Sequence, residues 1–244
     1  DAAGFNPAAL GGGAAWALPA ECRSGSCLRF AGGSFAQALQ PRGLPVGSEA
    51  RTVELWLNPE KDLTASTESG LFQYGTPATA SMFGLITSMN APGRLYFYGH
   101  SADLAGGPIL TQGVWRHAAA TFDGVNLTLF VDGVEEAQGA PGLFTAVDAP
   151  GLTLGMRPGG SSWTGLIDEV RLYRAALPAS VIRDHALQTH LGTCADGLLD
   201  GDEADVDCGG GLCSPCALGR RCLADGDCAL RACVSGACAA SSCT

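Results

Sequence analysis

The sequence predicts an all-β fold, an antiparallel β-sandwich with one short C-terminal helix, followed by a small disulfide-rich tail with little regular secondary structure. Three observations predict it. Between residues 28 and 190, short runs of alternating apolar and polar residues are separated by Gly, Pro, Asn and Asp, and such alternation marks strands with one buried face. The pairs Asp123-Gly124 and Asp132-Gly133 fall between these runs, where tight hairpins demand positive φ. The cysteines are segregated: Cys22 and Cys27 precede the alternating region, Cys194, Cys208, Cys213, Cys216, Cys222, Cys228, Cys233, Cys238 and Cys243 follow it, and residues 28 to 193 contain none.

Each element has its own signal. TVELWLN sets Val53, Leu55 and Leu57 on one face of a strand and Thr52, Glu54, Trp56 and Asn58 on the other. RLYFYGH separates Leu95, Phe97 and Gly99 from Tyr96, Tyr98 and His100, and LTLFVDG sends Leu127, Leu129 and Val131 inward before turning. LPASVIRDHALQTHL repeats Leu177, Val181, Ile182 and Leu187 at roughly helical spacing after Pro178, which suits a helix packed across one end of the sandwich. Hydrophobic periodicity stops after Gly192, so two domains are expected, 1–192 and 193–244. The tail carries eight acidic and three basic residues, a net −5 in 51 residues, against −5 for the other 193.

Composition excludes several function classes. A net charge of −10 with no basic stripe argues against nucleic acid and against anionic membranes. No apolar run approaches the roughly 20 residues of a membrane span, so direct membrane insertion is not expected. The chain opens at Asp1 with no basic n-region and no apolar h-region, and the expectation is that any export signal has been removed or was never in this stretch. Lys61 is the single lysine, and Arg with abundant Ala and Gly suggests a GC-rich genome. Crowded cysteines imply an oxidising compartment, hence a secreted or cell-surface protein.

The stretches QGVWRHAAATFDGVNLTLFVDGVEEA and LTLGMRPGGSSWTGLIDEVRLYRAALPASVIRDH, with CLRFAGGSF and TVELWLNPE before them, resemble the laminin G-like jelly roll of the concanavalin A-like lectin and glucanase superfamily over roughly residues 22 to 190. The resemblance implies a jelly-roll sandwich. It does not fix function, because this fold hosts lectins, hydrolases and adhesion modules. Relatives open with a strand before the stretch that here reads DAAGFNPAALGGGAAW; with that strand missing, the expectations are a trimmed chain, a processed fragment or a strand supplied by another copy. The resemblance further implies a structural calcium at Asp168 with carbonyls near Gly32 to Ser34, although Ala31 stands where many relatives have Asp. The alternative is that Asp168 and Glu169 pair with arginines such as Arg171 or Arg174.

Catalysis is not expected. Glucanases need carboxylates sharing one strand face, whereas GLIDEVRLY offers adjacent Asp168 and Glu169, which alternation sends apart. His117, His185 and His190 have no G-x-S-x-G partner to promote them. Tyr96, Tyr98 and His100 form the ligand-binding candidate, since outward aromatic rings stack on sugars and their polar tips hydrogen-bond; the alternative is that a loop covers them. Asn126-Leu127-Thr128 fits a glycosylation sequon, set inside a predicted strand.

In the tail, zinc would need a second spaced pair beside Cys213-x-x-Cys216, and redox chemistry would need a helix start, so disulfides are expected at Cys22, Cys27, Cys194, Cys208, Cys213, Cys216, Cys222, Cys228, Cys233 and Cys238. The pairing of eight tail cysteines is one of about 105. The run D-G-x-x-D-G-x-E-x-D-V-D-C-G-G-x-x-C-x-x-C resembles a cysteine-rich repeat of predicted surface proteins of myxobacteria and related deltaproteobacteria, which implies a Gram-negative source and places Cys243 at the start of a further unit. Asp196, Asp200, Asp202, Glu203, Asp205 and Asp207 supply hard oxygen ligands at a density that suits calcium, though not in EF-hand spacing; a solvated acidic loop is the alternative. The expected function is a non-enzymatic binding or adhesion module for a glycan or surface protein, carried on a disulfide-rich stalk. The alternatives are a structural subunit whose copies join into an extracellular polymer and an accessory domain of a glycoside hydrolase.

Overall fold

The structure is a computed structural model and describes residues 7–39, 41–64, 68–87, 92–147, 151–157, 161–187, 204–210 and 213–240. It divides into two units, residues 1–187 and 188–244. In chain order the first unit holds β1 (Ala9–Gly11), β2 (Ala15–Trp16), β3 (Leu28–Phe30), β4 (Phe35–Ala38), β5 (Arg51–Pro59), β6 (Ser69–Gly75), β7 (Met82–Thr87), β8 (Arg94–Tyr98), β9 (Leu104–Ile109), β10 (Arg116–Phe122), β11 (Leu127–Val131), β12 (Val134–Gly139), β13 (Leu152–Leu154), β14 (Ser161–Ser162), β15 (Gly165–Tyr173) and helix α1 (Ala179–Leu187). The second holds β16 (Cys233–Val234) and β17 (Ala237–Cys238).

Two sheets face each other as the alternation predicts. One has eight strands in the order β1-β4-β13-β6-β7-β8-β9, with β14 added to β6; the other has seven, β12-β11-β10-β5-β15-β3-β2. Val53, Leu55 and Leu57 meet Leu95, Phe97, Leu127, Leu129 and Val131 in one core with Phe30, Phe72, Tyr74, Phe83, Phe122 and Trp163. The Asp132-Gly133 pair makes a two-residue hairpin between Val131 and Val134, and both residues have positive φ (51° and 76°), the geometry that matches strand twist. Asp123 closes the β10–β11 turn by accepting from the backbone of Val125 (2.8 Å) and Asn126 (2.6 Å). Asn126 is exposed in that turn rather than inside a strand.

One expectation is corrected. Helix α1 does not cap an end of the sandwich; its Ile182, with Leu177, packs on Ala119 and Phe130, which point away from the core, so the helix lies on the outer face of the seven-stranded sheet. That covering buries Thr52 and Glu54, on the polar side of the β5 alternation, while Leu187 is 66% exposed. The core also contains a charge that alternation does not announce. Arg51 is fully buried, and its guanidinium donates to the carbonyls of Glu49, Pro45 and Gly47 and to the Tyr74 hydroxyl (2.6–3.1 Å). Four acceptors on one buried cation offset its desolvation and pin the residue 45–49 loop to the core.

The tail unit is built differently. Its buried centre consists of Ala204, Cys208, Cys216, Cys222, Cys228 and Cys238, and disulfides join Cys208–Cys216, Cys222–Cys233 and Cys228–Cys238. A further disulfide, Cys22–Cys27, closes a short loop in the first unit. Cys213 is also disulfide-bonded, and Cys194 and Cys243 lie outside the described residues.

Candidate functional site

The outer face of the eight-stranded sheet carries a row of residues in strict register. Gln37 on β4 sits beside Thr153 on β13, Thr153 beside Gln73 on β6, Gln73 beside Gly84 on β7, and Gly84 beside Tyr98 on β8. Phe72 and Tyr74 point into the core, so Gln73 between them points out. Gln73 is only 2% exposed, and its Oε1 is buried without a hydrogen-bond partner. A buried amide oxygen left unmet costs about 1–3 kcal/mol unless something donates to it. Gly84 leaves the position between Gln73 and Tyr98 without a side chain; a Cβ there would sit 3.0 Å from the Gln73 Cβ.

Above this row stands Arg157. The chain leaving β13 crosses the outer face at Gly70, where a Cβ would meet the Met156 and Arg157 backbone at 2.4 Å, so only glycine admits the crossing. From there the Arg157 guanidinium lies 4.2 Å from the Tyr98 ring centroid, donates to the Tyr98 hydroxyl (2.9 Å) and pairs with Glu68. Burial pushes the Arg157 pKa down. Burial also pushes the Tyr98 phenol up, with the Asp103 carboxylate adding to it.

The three predicted ligand residues come together here, although not as a free aromatic platform. Tyr98 shares a hydrogen bond with His100 Nδ1 (2.9 Å), and its ring face is covered on one side by Arg157. Tyr96 lies on the same face, opposite Ile86 and Ala105. His100 is not in the strand; it and Ser101 adopt left-handed φ (59° and 69°), held by Ala80 N–H donating to the His100 carbonyl (3.0 Å) and by Gly99 N–H donating to Asp103 (2.8 Å). Left-handed non-glycine residues cost about 1–2 kcal/mol each and persist only when their surroundings over-determine them. Sequence reading alone misses Gln73, Glu68 and Arg157; the signal that could have pointed to them is the polar Gln73 between two core aromatics.

A second polar cluster lies on the outer face of the other sheet and is closed off. Glu54, 1% exposed, accepts from the Tyr173 hydroxyl (2.8 Å) and pairs with His185 of α1 (2.9 Å), with His117 Nε2 at 3.6 Å. Burial pushes its pKa up, but the two histidines outweigh that and hold it at about 2. Of these three partners His185 is on α1 and the others are on the sheet, so the Glu54–His185 pair attaches the helix to the sheet. His190 lies outside the described residues.

Asp168 is 4% exposed, opposite Trp56, and accepts from the backbone N–H of Ser24 (2.7 Å) and Glu169 (2.8 Å). Burial pushes its pKa up to about 6. It thus holds the loop closed by Cys22–Cys27. Phe30 pairs with Gly165, so Gly32 to Ser34 lie beyond the opposite end of this pairing and are not brought to Asp168. Glu169 occupies a bulge with φ 48° and pairs with Arg171, while Arg174 pairs with Glu49.

In the tail, Asp196, Asp200, Asp202 and Glu203 lie outside the described residues. Asp205 accepts from the backbone of Val206 and Arg221 (2.8 Å each), which lowers its pKa, and Asp207 takes left-handed φ (57°). The sulfurs of Cys222, Cys228 and Cys238 lie within 4.8 Å of one another, a spacing that suits a metal, but each is committed to a disulfide.

The family described as the concanavalin A-like lectin/glucanases superfamily matches residues 32–183. No curated relative matches the chain. Among solved structures, domain 4 of AbnA, a GH43 extracellular arabinanase from Geobacillus stearothermophilus in complex with arabinotriose, is 26% identical, with a TM-score of 0.60 over 75% of this chain and 89% of that one. The CBM40 of the Ruminococcus gnavus IT-sialidase, bound to α2,3 sialyllactose, is 16% identical, with a TM-score of 0.53 over 66% of this chain and 96% of that one. The binding domain of Paraclostridial Mosquitocidal Protein 1 is 14% identical, with a TM-score of 0.57 over 80% and 49%. The last two share the fold.

Proposed function

Because the chain belongs to the concanavalin A-like lectin/glucanases superfamily, we propose that its β-sandwich unit is a non-catalytic glycan-binding module that takes its ligand on the outer face of the eight-stranded sheet. The observation that carries this reading is the Gln73–Gly84–Tyr98 row, with a buried acceptor at one end and a braced aromatic and guanidinium at the other. Saccharides present alternating hydroxyls and C–H faces, and this surface offers Arg157 to donate and the part-exposed Tyr96 and Tyr98 rings to stack, with the unmet Gln73 Oε1 as an acceptor buried beside them. The bound arabinotriose of the arabinanase domain supports the assignment by similarity. The disulfides support an extracellular site of action, with the tail as a cross-linked spacer.

A glycan array with the full chain, followed by calorimetry on the best ligand, tests the proposal. Gln73→Ala and Tyr98→Ala should each weaken binding by at least tenfold, about 1.4 kcal/mol, with the tail's amide protection unchanged. An array with no bound glycan, or variants that bind as the parent does, would refute it.

A further inference from the structure

We infer that this site selects uncharged saccharides and rejects acidic ones, and that Glu68 is the residue that sets the selection. The inference rests on the glycan-binding reading above and deepens it. Arg157 is the one cation whose contacts place it over the Gln73–Tyr98 row among the described residues, and a lone buried guanidinium would favour a carboxylate or sulfate ligand. It is not alone. Nη1 of Arg157 pairs with Glu68, and the two side chains are 21% and 22% exposed, so the pair is half-buried and reachable from solvent at its edge.

The consequence follows from donor and acceptor inventory. Arg157 donates only and Glu68 accepts only, so their free valences match a pair of hydroxyls, one lone pair facing the guanidinium and one proton facing the carboxylate. The carboxylate of an anionic sugar, placed on Arg157, brings no proton for Glu68 and meets its charge at close range. Asp103, which holds the His100 loop through Gly99 N–H, adds a second negative charge on the same rim. The chain as a whole carries −10, which repels polyanions before contact. Like charge facing the wrong ligand is how a site discriminates without tightening its grip on the right one.

The test compares the parent full chain with Glu68→Gln, which keeps the shape of the side chain and removes its charge. The probes are arabinotriose and a panel of neutral oligosaccharides against α2,3 sialyllactose and a galacturonic acid trimer, read by calorimetry at moderate salt. The expected result is at least tenfold preference for the best neutral glycan in the parent chain, and a shift of at least tenfold toward the acidic probes in Glu68→Gln. Arg157→Gln serves as a second variant and should weaken both classes. If the parent binds glycans but prefers acidic ones, or if Glu68→Gln leaves the ratio where it was, the selectivity inference is wrong while the glycan-binding reading stands. If no glycan of either class binds, both fall together.

Discussion

The β-sandwich unit and the tail unit solve the same problem by different means. The first buries aromatic and aliphatic side chains between two sheets, and its backbone donors and acceptors are met by strand ladders. The tail, among its described residues, has one ladder of two short strands, and its centre is made of cystine sulfur. What replaces the ladders there is the carboxylate. Asp227 accepts from the backbone of Gly210, Leu223 and Ala224 (2.8–2.9 Å), Asp225 from Cys233 (2.8 Å), and Asp205 from Val206 and Arg221. The difference teaches that, among the described tail residues, Asp205, Asp225 and Asp227 meet backbone donors that strand ladders meet in the sandwich.

The largest expected effect separates the two units. Reduction should abolish amide protection throughout the tail, because a native disulfide in a small unit contributes about 2–5 kcal/mol and three are broken among the described residues. The sandwich should keep its protection, since its one disulfide closes a loop of sequence separation 5. Hydrogen exchange with and without reductant checks this, and loss of protection in both units together would break the comparison. Leu55→Ala should do the converse, costing the sandwich roughly 2–5 kcal/mol in chemical denaturation and leaving tail protection untouched.

The pH dependence sharpens the comparison further. Glu54, held from 4.5 down to about 2, contributes stability that is full above about pH 4.5 and lost as pH falls toward 2. Asp168, raised from 3.8 to about 6, contributes in the opposite sense: its share is full below about pH 3.8 and lost as pH rises through 6. The two act on opposite sides, Glu54 costing stability as pH falls below 4.5 and Asp168 as pH rises through 6, so together they favour a maximum between those limits. Melting across pH should show that maximum, and Asp168→Asn should flatten the limb between pH 4 and 6. In the tail, Asp227→Ala is expected to expose the amides of Gly210, Leu223 and Ala224 to exchange with no change in the sandwich.

Much of the sandwich is legible in the sequence, because a strand's alternation reports directly on which residues meet the core. Val53, Leu55, Leu57, Leu95 and Phe97 all go where alternation sends them, and Asp132-Gly133 turns where its chemistry requires. Alternation reports on one partner only, so it does not see α1 arriving on the other face to bury Glu54 and Thr52. The candidate site is half legible. Tyr96, Tyr98 and His100 announce themselves within one strand and its exit, whereas Gln73 and Arg157 join them through the pairing of β6, β7 and β8 and through the crossing at Gly70, contacts that no local pattern encodes. The cysteine pairing is unreadable for the same reason.

The central claim is that ligand binds the outer face of the eight-stranded sheet and nowhere on the tail. Hydrogen exchange of the full chain, with and without saturating amounts of the best-binding glycan from the array, tests it most directly. Added protection should fall on the segments around Gln73, Gly84, Tyr96 to His100 and Arg157. Protection appearing instead on α1, on the Cys22–Cys27 loop or on the tail, with those four segments unchanged, would contradict the account.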